Sequence, residues 1–81
     1  MDDTTILGQV RGLVAEERGL RDQMRRGQID GAAERERLQH LEEQLDQCWD
    51  LLRRRRAAVD AGQDPDAATV RNVGEVEGYL Q

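Results

Sequence analysis

The sequence predicts an all-α protein: a long antiparallel two-helix hairpin, coiled-coil-like, with an ordered and mostly non-helical C-terminal tail. Three observations lead there. Between Leu38 and Arg56, the apolar residues Leu38, Leu41, Leu45, Cys48 and Leu52 alternate three and four apart, the spacing of a helix laid along a partner. Ile6, Val10, Leu13, Leu20 and Met24 keep the same spacing near the N-terminus, with Glu17 as the one polar residue in line. Only a short connection, Gln28 to Gly31, separates the two patterns, so the helices it joins are expected to be antiparallel neighbours.

The first helix is expected over about residues 4–26. Asp2, Asp3, Thr4 and Thr5 are all competent N-caps, and the acids suit the positive end of the helix dipole. Gly27 is the natural residue to follow the C-terminus, where a left-handed conformation is needed. Glu17 on the seam must reach an arginine or water, either as a snorkelling edge residue or as a register-fixing partner. Asp30 is the expected N-cap of the second helix, which runs over about 31–61. There Gly62 is the next C-terminal candidate and Asp64-Pro65 forbids continuation. Acids lie at the start of that helix and Arg53 to Arg56 near its end, so an antiparallel hairpin brings these arginines back towards Asp2 and Asp3.

Both stripes are broader than one seam needs. Leu7 and Val14 widen the first, and Trp49 and Leu51 the second. This surplus calls for a third surface, either the chain's own tail or a second subunit. In the tail, residues 62–81, Val70, Val73, Val76 and Tyr79 recur every third residue and Leu80 follows. That period fits an extended strand or short helical turns lying in a groove better than a long helix. All 81 residues form one domain.

Composition narrows the function classes. Hydrophobic residues make up 37% and Phe is absent, so the core is Leu, Val and Ile packing. A core in a chain this short supplies only ~3–5 kcal/mol, and small proteins commonly add disulfides, a metal or a second subunit. One Cys and one His make neither a disulfide framework nor a zinc site, so no metal or cofactor is expected. A homodimer, as a four-helix bundle, is the expected supplement. The net charge of −5 argues against nucleic-acid binding unless the arginines gather on one surface. Residues 1–20 lack a basic segment followed by a continuous apolar run, and no apolar stretch approaches the ~20 residues that span a bilayer. A cytoplasmic protein with a reduced thiol is expected.

No catalytic constellation stands out, and an enzyme is not expected. Cys48 on the seam reads as a small buried hydrophobe, with no second Cys or activating base to make it a redox group. His40, opposite the seam with Glu36, Glu43 and Gln44, reads as an exposed side chain. Glu42, Glu43, Asp46 and Asp50 are expected to lack the buried pairing that acid–base chemistry needs. Arg53, Arg54, Arg55 and Arg56 point four ways around a helix. They read as a solvated turn matched to the helix dipole, or alternatively as a site for nucleic acid or another polyanion.

The core LDQCWDLLR, residues 45–53, and the C-terminal EVEGYLQ resemble a small actinobacterial family of domains of unknown function. The likeness covers nearly the whole chain. It implies a helical fold and no activity. The expected function is therefore a small helical interaction or structural module, self-associating or binding another protein through helix–helix contacts. Its candidate interaction residues are Leu7, Val14, Trp49, Leu51, Arg53 to Arg56, Val73, Val76, Tyr79 and Leu80.

Overall fold

The structure, a computed structural model, describes residues 2–27 and 31–80, Leu80 by its backbone alone. Among these residues are two long helices, α1 (Asp3–Arg25) and α2 (Ala32–Asp60), a single 3-10 turn at Pro65–Ala67, and a short helix α3 (Val73–Leu80). Helices α1 and α2 form the antiparallel hairpin, and the 3-10 turn and α3 both return to pack on α2. The tail is thus only partly non-helical: it is irregular around the 3-10 turn and from 68 to 72, then makes two turns of helix.

Local chemistry sets each boundary. The carboxylate of Asp2 accepts the backbone N–H of Thr5 at 2.8 Å and caps α1. That bond also holds its pKa below the usual aspartate value. Gly27 and Gly62 follow α1 and α2 with φ of 71° and 72°, a region in which a Cβ is costly. At α2 the N–H of Gly62 reaches the carbonyl of Val59 and that of Gln63 reaches Ala58, the paired bonds of a Schellman end. The expected cap Asp30 lies outside the described residues; Gly31 precedes α2 in extended conformation without a side-chain bond. Asp64 accepts the N–H of Asp66, with Pro65 opening the 3-10 turn. Helix α3 begins at an Asn72 N-cap: the Asn72 side chain accepts the N–H of Glu75 and donates its amide to the Glu75 carboxylate, at 2.9 and 2.8 Å.

The core follows the expected seam. Ile6, Val10 and Leu20 on α1 and Leu41 and Leu45 on α2 are all buried. Leu13, Met24, Leu38, Cys48 and Leu52 are half-buried at its margins. Glu17 is the snorkelling edge residue, its carboxylate 3.8 Å from Arg21 one turn on. Two expectations need correction. Leu51, read as surplus, is only 4% exposed. The residues on either side of it, Gln47 and Arg54, donate to the carbonyls of Arg71 and Thr69, and so draw the tail across its side chain. Conversely, the tail does not bury an anchor at every third position. Val76 is 1% exposed and Val73 half-buried, but Val70 lies in the irregular segment, 55% exposed, and Tyr79 is 70% exposed. Once the last residues coil into a helix, position 79 turns ~60° away from the line of Val76.

Replacing Leu51 with Ala should therefore cost ~2–5 kcal/mol, and Leu38→Ala distinctly less, when both are measured by chemical denaturation. Equal costs would mean that the tail does not cover Leu51.

Candidate interaction surface

Two ion pairs show which helix faces share a side of the hairpin. Arg21 meets Glu42 at 2.6 Å on one side. Arg37 meets Glu16 at 3.2 Å on the other. Residues seven apart on a helix lie nearly in line, drifting only ~20° per step. The row Leu7, Val14, Arg21 of α1 therefore runs beside the row Glu42, Trp49, Arg56 of α2. Along it Leu7 is 38% exposed, Trp49 45% exposed and Val14 half-buried. Three of the four surplus residues thus share one apolar strip, with charges at its ends. Tyr79 stands at its border, because Arg53, four residues beyond Trp49, holds its guanidinium 5.9 Å from the Tyr79 ring.

The opposite side is a groove of about 390 Å³, with Gln9, Glu16 and Gln44 around Leu13, Cys48 and Leu51. Partial burial there pushes the Cys48 thiol above its ordinary pKa, which keeps it protonated and weakly nucleophilic at neutral pH. His40 is exposed. Among the described residues no group of three His, Cys, Asp or Glu side chains is placed to hold a metal ion.

The four arginines have four different environments. Arg55 is buried. It donates to Asp3 at 2.6 Å, to Asp66 at 2.9 Å and to the carbonyl of Pro65 at 3.2 Å. It thereby ties the start of α1 and the 3-10 turn to α2, and both carboxylates favour its charged form. Arg54 bonds Asp50 at 3.0 Å and the carbonyl of Thr69. Arg53 and Arg56 point outward. α2 runs past the arginines to Asp60 as expected, but the expectation of a solvated turn is corrected: the guanidiniums of Arg54 and Arg55 are internal ties.

Asp50, expected to be unburied, is 3% exposed, with Arg53, Arg54 and Arg71 within 3.0–3.9 Å of its oxygens. Its spacing to Arg53 and Arg54 is visible in the sequence. The approach of Arg71 depends on where the tail runs. A second acid, Glu77 of α3, joins Glu42, Glu43 and Asp46 around a depression on α2. One Glu77 oxygen is shut off from solvent without a donor. Two ionised carboxylates have no hydrogen to share, so a bond between Glu77 and Asp46 needs a proton on one of them. That bond, then burial, then the charges of Asp46 and Glu43, raise the Glu77 pKa above the ordinary 4.5. Pairing across the α2–α3 contact could not have been read from residues 31 apart in sequence.

The remaining candidate residues divide clearly. Val76 and Leu51 are interior. Val73 is at the edge of the α3 contact, and the side chain of Leu80 lies outside the described residues.

Residues 2–81 match the family described as protein of unknown function DUF2630, and the chain belongs to that family. Uncharacterized protein Mb0922c of Mycobacterium bovis and uncharacterized protein Rv0898c of Mycobacterium tuberculosis are each 51% identical to it over 77 residues. Those alignments cover 95% of this chain and 88% of each relative. No solved structure matches it significantly.

Two outcomes follow from this geometry. A proton held more tightly in the folded than in the unfolded chain stabilises below the unfolded pKa, and that stability is lost as pH rises through the folded one. Amide exchange of α3 should therefore quicken as pH climbs from ~4.5 towards neutrality, after correction for intrinsic rates. Glu77→Gln should flatten that dependence. Arg55→Gln should loosen both Ile6 and Ala68 in the same exchange measurement, while Arg56→Gln should leave both unchanged.

Proposed function

We propose that this protein is a non-enzymatic helical interaction module of the cytoplasm that self-associates through the side of its hairpin carrying Leu7, Val14 and Trp49. The observation that supports the reading is the alignment of those residues on one strip beside the Arg21–Glu42 pair, at 2.6 Å. A lone exposed leucine needs no explanation, but a row of apolar residues that includes the chain's single Trp does. Tryptophan is enriched at interface centres because it buries a large area at little conformational cost. The described helices include none long and apolar enough to cross a membrane, so a lipid-spanning role does not compete for that strip. Cys48, partly buried and held protonated, suits a structural rather than a thiol-switch role in a reducing compartment.

The polyanion alternative loses ground to the arginine geometry. Only Arg53 and Arg56 face solvent, Arg53 lies against Tyr79, and Asp50 sits beneath the cluster. Sedimentation equilibrium from low to high micromolar protein should give a mass rising from one chain to two. Trp49→Glu should abolish the rise without loss of helicity. A mixed oligonucleotide pool should not be retained at physiological salt, where the phosphate contribution from two outward arginines is weak.

A further inference from the structure

The apolar strip carries its charges in an order that selects its own occupant. Glu42 and Arg56 stand one heptad before and one heptad after Trp49, each ~10 Å from it along the helix. A second copy laid antiparallel across this strip, related by a two-fold axis through Trp49, brings each Glu42 opposite the partner copy's Arg56. Any isologous contact repeats every pairing twice, so both ends of the interface gain opposite charges and Trp49 meets its own symmetry mate. A parallel copy would instead set Glu42 against Glu42 and Arg56 against Arg56.

We infer that the occupant of this strip is a second copy of this chain, docked antiparallel along α2 with Trp49 on the two-fold axis and Glu42 paired to Arg56 across it. The inference rests on the self-association reading and adds its register. Val14 lies level with the tryptophan and completes the apolar centre from α1, while Leu7 lies level with Arg56. Arg56, exposed in the single chain, gains a carboxylate. Glu42 already holds Arg21 at 2.6 Å, and a carboxylate has lone pairs for both guanidiniums. An unrelated protein partner would have no reason to prefer charges placed symmetrically about the tryptophan.

The test uses the full chain and its own tryptophan. Over the concentration range in which sedimentation reports dimer, Trp49 emission should shift to the blue as its exposed face is covered. Arg56→Glu and Glu42→Arg should each weaken association roughly tenfold, since the symmetry doubles every substitution. The double swap Glu42→Arg/Arg56→Glu should restore it, although it forfeits the pair with Arg21. Circular dichroism keeps folding in view throughout. A monomer at every concentration overturns the self-association reading and this register with it. A dimer with unchanged Trp49 emission overturns both the strip as the interface and this register. A blue shift without loss in the single variants, or without rescue in the double, rejects the Glu42–Arg56 pairing.

Discussion

The burial of one narrow seam, Ile6, Val10 and Leu20 against Leu41 and Leu45, is the constraint from which the remaining arrangement follows. With no Phe and little aromatic area, the chain can close only a line of contact between two helices. That line sets the rotation of each helix about its axis, and the rotation decides where every other side chain can reach. It brings Arg55 to Asp3, aligns Leu7 and Val14 with Trp49, and leaves the back of α2 for the tail. Apolar area alone does not hold that tail. Among the described residues Val76 is its one deeply buried side chain, and the other ties are polar: Gln47 and Arg54 to backbone carbonyls, Arg55 to Asp66, Arg71 near Asp50.

This division explains why charged residues are so frequent in a chain with so small a core. Hydrogen bonds to charged groups are stronger than neutral ones, and two partners fixed on one rigid helix lose little freedom in making them. The arginines of α2 stabilise a fold that lacks the apolar residues for a third helix of ordinary length. The same arginines are removed from the pool that could meet a phosphate backbone. Composition alone therefore overstates the basic character of the surface near residues 53–56.

The long helices were legible because their signals are local and periodic. Asp2 as cap, Gly27 and Gly62 as terminators and the Asp64-Pro65 break each act within a few residues. The Asp3–Arg55 tie could be anticipated because an antiparallel hairpin fixes which ends meet. The interior standing of Leu51 and Asp50 and the Glu77–Asp46 contact were not legible. Each depends on the path of residues 68–72, which have no repeat to betray it. Tyr79 misled for a related reason: a period of three suits an extended strand and short helical turns almost equally, and the Asn72 cap on Glu75 favours helix.

Arg55 has a consequence for the order in which the molecule assembles. Its partners Asp3 and Asp66 lie 52 and 11 residues away along the chain, and the first can arrive only after the whole hairpin has zipped from its turn. Long-range closures of this kind come after the local contacts that reduce their entropy cost. A tie formed late is absent from the folding transition state, so it leaves the rate of folding nearly unchanged and slows the rate of opening instead. In a protein with a thin core, a guanidinium that latches the two ends of the hairpin acts through the lifetime of the native state and not through the speed at which the hairpin forms.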